Sequence, residues 1–164
     1  MHQQIVNPAE NASSSDHGSN LSVWENVMRE AVRTSRAAPS NVMLNTYQQA
    51  LEIAYRLIGQ PPPGRADDCV AALVVSHHNL ADVHAEQGDI DSAADHLCRA
   101  HETLIRSFLD VSRDRSLQQA ALRHSRETHF ALLNHVRAHG AHPLATRALG
   151  AGCLALSTAH STPH

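Results

Sequence analysis

The sequence predicts an all-α protein: antiparallel helical hairpins stacked as a short array, about six helices in all. Three observations carry this. Hydrophobic residues make up 42% of the 164-residue chain but aromatic residues only 3%, so the core is aliphatic. Ala and Leu dominate it, and both favour helices over strands. Apolar residues recur at the helical spacing of roughly 3.6 in successive segments bounded by turn signals, and no segment shows the period-two alternation of a half-buried strand. A chain of this length is one domain of ordinary size, long enough to bury a core.

Residues 1–19, polar and rich in Asn and Ser, read as a disordered tail; residues 20–157 read as a single helical domain, and residues 158–164 as a second tail. The first helix opens at Ser22-Val23-Trp24-Glu25, an S-x-x-E capping box. Trp24, Val27, Met28, Ala31 and Val32 follow at helical spacing, and Ala37-Ala38-Pro39-Ser40 breaks the pattern. The second helix carries Met43, Tyr47, Ala50, Leu51, Ala54, Leu57 and Ile58 and ends at Gly59. Pro61-Pro62-Pro63-Gly64 is a stiff connector that no helix can cross.

Asp67 and Asp68 open the third helix, where acids complement the helix dipole. Its inner face is Val70, Leu73, Val74, His77, Leu80, Ala81 and His84. Gly88 ends it and Asp89 caps the fourth, which buries Ile90, Ala93, Leu97, Ala100, Leu104 and Phe108. A fifth helix is expected over residues 112–139, with Leu117, Ala121, Leu132, Leu133 and Val136 inside. Gly140 ends it, and Pro143 takes the first position of the sixth.

All 13 basic residues are Arg, and the net charge is −3. Residues 1–100 hold 6 Arg against 12 acids, residues 101–164 hold 7 against 4. Without an overall basic excess, the composition argues against a nucleic-acid binder. Residues 106–126 carry 5 Arg but have neither aromatic interleaving nor a turn-helix signature. Cys69, Cys98 and Cys153 are odd in number and form no CxxC pair, which argues against a disulfide framework and a structural zinc and fits a reducing cytoplasm. No apolar stretch reaches the length of a membrane span, and the N-terminus lacks the pattern of a secretory signal.

The clearest local pattern is Leu80-Ala81-x2-His84-x3-Gly88 followed by Ala93-x3-Leu97-x2-Ala100. It resembles the tetratricopeptide repeat, in which a large and a small residue on one helix meet Ala and a large residue on the next. Leu132-Leu133, Val136, Gly140, Ala145, Leu149 and Gly152 repeat the phase 52 residues later. Ala31, Met43, Tyr47 and Ala50 repeat it 50 residues earlier. The period exceeds the family's usual period of about 34, His77 and His129 stand where aromatics are usual, and Ile105 replaces the closing Pro.

The resemblance implies a protein-binding adaptor, chaperone-like holder or regulatory subunit, without cofactor, that grips a peptide or helix in a concave groove. Carried onto this chain, the groove takes Met28, Val32 and Arg36 from the first hairpin. His78, Asp82 and Glu86 come from the second, and Phe130, Asn134 and Arg137 from the third.

Two other classes compete. The sixth helix, with Leu144, Ala148, Leu149, Gly150, Ala151, Gly152, Leu154, Ala155 and Leu156, is nearly apolar all round, which suits burial in a homo-oligomer with Gly150 and Gly152 allowing close approach. The 14 His include His135 and His139 on one helix face with His142 just beyond, ligand types and spacing that suit zinc, nickel or copper. His77 and His84 lie seven apart, but there is no HExxH, no ExxH pair of the di-iron kind, and no Cys at ligand spacing. No nucleophile elbow, phosphate loop or dinucleotide fingerprint marks an enzyme.

Overall fold

The computed structural model of the chain describes residues 9–35 and 37–160, with side chains described over residues 20–157 except residue 36. Six helices make up the regular structure of the described residues: α1 (Ala9–Thr34), α2 (Ser40–Gly59), α3 (Ala66–Glu86), α4 (Ile90–Leu109), α5 (Arg115–His139) and α6 (Pro143–His160). Each packs on its neighbour in sequence, so the chain folds back on itself at every turn. Beyond that, α3 packs along α5 and α4 along α6, which stacks the last two hairpins side by side. α4 is the central element, flanked by α3, α5 and α6.

The turn between α3 and α4 shows how local residues set this geometry. Gly88 takes φ +79°, and Asp89 N–H donates to the His84 carbonyl at 2.9 Å while Gly88 N–H donates to that of Ala85 at 3.0 Å. Together these close the last turn of α3 as a Schellman motif, which needs a left-handed residue at Gly88. Asp89 then turns from the end of one helix to the start of the next. Its Oδ1 accepts from Ser92 N–H at 3.1 Å, capping α4.

The main core joins Met28, Tyr47, Leu51, Ile58, Val70, Leu73, Leu80, Leu104 and Leu117, so it runs through the first five helices. A second core joins Ala81, Ala93, Leu97, Cys98, Leu132, Ala145 and Ala148 and ties α6 to α3, α4 and α5. Trp24 spans from α1 to α3, its Nε1–H donating to Ser76 Oγ at 2.9 Å.

Three local expectations change. α1 begins at Ala9, upstream of the Ser22 capping box, because extending a formed helix is much cheaper than nucleating one. The tail assignments for residues 1–8 and 161–164 lie outside the described residues. α5 starts at Arg115 because Asp110 Oδ1 accepts from both Ser112 N–H (3.0 Å) and Ser112 Oγ–H (2.6 Å), holding residues 110–113 in a turn that competes with helix. Leu133, expected inside, is 46% exposed, since α5 leaves an outer side uncovered.

α6 packs through a seam of small side chains, Ala145, Ala148, Gly152 and Ala155. At Gly152 a Cβ would stand 2.2 Å from Nε2 of the buried His101 ring, so the glycine serves contact within the chain. Gly150 has nothing within 4 Å of its Cβ position. In an α-helix Ala is favoured over Gly by about 1 kcal/mol, and overpacking a core costs about 1–3 kcal/mol. Gly152→Ala is therefore expected to destabilise and Gly150→Ala to stabilise, read as opposite shifts of the urea midpoint. Shifts of the same sign would show that α6 does not sit on His101.

Candidate functional site

The seam between α3 and α5 carries polar residues along its length. At one end Asp67, in the first turn of α3, faces two side chains of α5: Arg123 Nη2 at 2.7 Å and His124 Nε2 at 3.3 Å. Hydrogen bonding by Arg123 comes first among the effects that hold the Asp67 carboxyl below its ordinary range, with His124 adding to it. Glu127 extends the network, its Oε2 3.5 Å from His124 Nδ1 and its Oε1 4.0 Å from His78 Nδ1. Asp67, Arg123 and Glu127 are largely exposed, so the network orients α3 against α5 more than it stabilises them.

Further along, the seam opens into a cavity of about 340 Å³. Its floor is small: Ala81, Ala85, Ala93, Ala131 and Ala138, with Leu97. Alanines on facing helices leave the space that larger side chains would fill. Its polar lining is His78, Asp82, Asn134, His135 and His139. Nε2 of His78 and of His135 are shielded from solvent and meet no hydrogen-bond partner. Burial lowers the pKa of both rings, helped at His135 by the neighbouring His139 and His142. The cavity therefore presents two neutral imidazoles, a carboxylate and a carboxamide over an apolar floor.

Three of the nine residues expected to line a groove, His78, Asp82 and Asn134, meet at this cavity. Asp82 comes from α3 and Asn134 from α5, two helices that pack together. Glu86 lies exposed one turn beyond Asp82, and both carboxylates, after burial, raise the Tyr47 phenol on α2. Phe130 (64% exposed) and Arg137 flank Asn134 on α5 without lining the cavity. Met28 is a correction: only 8% exposed, it packs in the main core because Trp24 anchors α1 over α3, and it is closed to a partner. Val32 is exposed on α1 away from the cavity, and Arg36 lies outside the described residues. His135 and His139, weighed for metal, belong instead to the groove; Asp67, His124 and Glu127 were not singled out, although His124 and Glu127 are three apart on a helix.

Among the described residues no three His, Cys, Asp or Glu side chains converge closely enough to hold a metal ion. Several histidines contact other side chains through a ring nitrogen or ring face. His77, wholly buried, meets Tyr55 Oη at 2.9 Å through Nε2 and His96 Nδ1 at 3.2 Å through Nδ1. His96 stacks on His84, whose Nδ1 is 3.3 Å from Asp89 Oδ2. His101, also wholly buried, contacts Thr128 Oγ1 at 2.8 Å. The Thr128 hydroxyl donates to the Ser125 carbonyl, so Nδ1 of His101 carries the ring proton and Nε2 is bare against Gly152.

These features define a class: a helical-hairpin array with a polar groove between the first helices of its second and third hairpins. The chain belongs to a family described as "Protein of unknown function (DUF2753)", whose model matches residues 22–163. No curated protein and no solved structure matches it. Among the described residues no helix is long and apolar enough to cross a membrane.

Burial holds the pKa of His77 down at about 3 and that of His101 at about 4, against an ordinary 6.5. In the unfolded chain both rings protonate below 6.5, whereas in the folded chain they stay neutral. Their contribution is complete above 6.5 and is lost as pH falls toward 4 and then 3. Stability is expected to fall by about 1.4 kcal/mol per pH unit for each ring between about pH 6 and about pH 4. Urea melts across that window read it, and His77→Leu should make the slope shallower. A flat profile would mean that neither ring is held neutral.

Proposed function

We propose that the chain is a protein-interaction module resembling tetratricopeptide arrays, acting in the cytoplasm as an adaptor, holder or regulatory subunit rather than as an enzyme. It needs no cofactor. The α3–α5 groove takes an extended segment or helix of a partner protein. The observation that supports this most is the cavity itself, where Asp82 from α3 and Asn134 from α5 sit over an alanine floor. A groove with small floor residues admits partner side chains, and polar walls fix their register. Asp82 in the wall and Glu86 one turn beyond it favour a basic or amide-bearing segment. Phe130 beside the groove offers an apolar contact.

A second reading, self-association through α6, is favoured by the exposure of Leu154 at 71% beside the exposed Gly150, Ala151 and Cys153. The two readings separate by experiment. A peptide selected from a library on the native chain is expected to lose at least about tenfold in affinity on Asp82→Arg/Glu86→Arg, equal to about 1.4 kcal/mol, with the circular dichroism unchanged. Leu154→Glu is expected to leave that affinity unchanged. Selected peptides that bind the charge-reversed chain equally well would reject the groove, and a dimer in light scattering that Leu154→Glu dissolves would favour α6.

A further inference from the structure

The ends of α2 and α4, with the turn after α4, enclose a second cavity of about 530 Å³. It shares no lining residue with the α3–α5 groove. Arg99, Arg106 and Arg113 line it, with one carboxylate, Asp110, and three hydroxyl side chains, Tyr55, Thr103 and Ser107. Arg99 and Arg106 are seven residues apart, which puts them on one side of α4, and the turn after α4 brings Arg113 beside them. A concentration of positive charge in a chain of net charge −3 is not the product of an overall basic composition.

The walls are held from behind. Arg113 Nη1 donates to the carbonyls of Gly59 (3.2 Å) and Ile58 (3.4 Å), covering the C-terminal end of α2, and its Nε lies 3.5 Å from Asp110 Oδ2. Tyr55 is fixed through its hydroxyl to the buried His77. Arg106 is different. Its Nε donates to the Glu102 carbonyl at 3.3 Å, and it has no carboxylate partner among the described residues. Arg99 pairs with the partly exposed Asp95 at 3.6 Å. Thr103 Oγ1 is shielded from solvent and meets no partner.

The Arg106 fork, bonded through Nε alone, and the Arg99 fork, paired at its edge with Asp95, thus keep donors for a ligand beside a third fork held in place. Guanidinium groups bind planar or tetrahedral oxyanions through paired hydrogen bonds. With Asp110 in the lining and Asp95 beside Arg99, the three arginines keep an excess of one positive charge, which favours an anion. A phosphoryl group offers three acceptor oxygens to the two forks where a carboxylate offers two. The volume is within the range of roughly 300–1,000 Å³ usual for small-molecule sites.

We propose that this cavity binds a small phosphate-bearing molecule, with its phosphoryl oxygens held by Arg99 and Arg106 and with Arg113 and Tyr55 as fixed walls. Binding there does not depend on a partner in the α3–α5 groove.

Isothermal titration of the intact chain with pyrophosphate at low salt, beside sodium acetate, tests it. One site is expected, with Kd below about 1 mM, weakened at least about tenfold in Arg99→Gln/Arg106→Gln. Arg115→Gln/Arg126→Gln removes the same charge from exposed positions outside the cavity and is expected to leave the affinity within about twofold. All four arginines are exposed, so both variants are expected to fold, with thermal melts as the check. No saturable binding up to about 10 mM, equal weakening in the two variants, or acetate bound as tightly as pyrophosphate would each overturn the proposal.

Discussion

The structure depends on closing a core that has almost no aromatic side chains. Large rings normally fill the spaces where helices cross. Here small residues bring the helices close, and two wholly buried histidine rings, His77 and His101, fill what remains. Both belong to the α3–α4 hairpin, so both lie at the centre of the array. His77 is held between Tyr55 on α2 and His96 on α4, and His101 between Thr128 on α5 and Gly152 on α6. A buried imidazole can do this only while neutral, because a charged ring in such surroundings is strongly penalised. At His101 the constraint is geometric as well: a proton on Nε2 would meet Gly152 with no acceptor.

The same choice of side chains shapes the surface. Alanines that let α3 approach α4 and α5 also leave the groove above them open. His78 and His135 enter it as neutral rings because burial lowers their pKa. Core and groove are therefore two sides of one packing solution, with α3 and α5 contributing to both. The arginine-lined cavity is anchored to it too, since Tyr55, one of its walls, is held by His77.

The second hairpin was the most legible part of the sequence. Gly88 and Asp89 carry unambiguous chemistry, a left-handed turn and a helix cap, and the structure uses both in that way. Asp82 and Asn134, both expected at a groove, line one cavity because α3 and α5 pack together. Extending the groove to the first hairpin failed at Met28. α1 packs chiefly on α2 and reaches α3 through Trp24, so its register is not that of α3 on α5. The Asp110 turn, the Gly152–His101 contact and the gathering of Arg99, Arg106 and Arg113 around one cavity were not legible, because each depends on which helices become neighbours. Histidine pairs at ligand spacing were visible in the sequence, but spacing does not say whether a ring turns toward a neighbour's nitrogen or toward a shared point.

The central claim is that two imidazole rings stay neutral inside the array and hold its helices in register. Titrating the histidine ring signals of the intact chain by NMR tests it most directly, with His77→Gln and His101→Gln used to assign them. The predicted result is two rings, His77 and His101, that remain neutral at about pH 5 while the chain is still folded. If every ring of the folded chain instead titrated together near 6.5, the ordinary value, the buried histidines would not be what holds α3 and α4 in place.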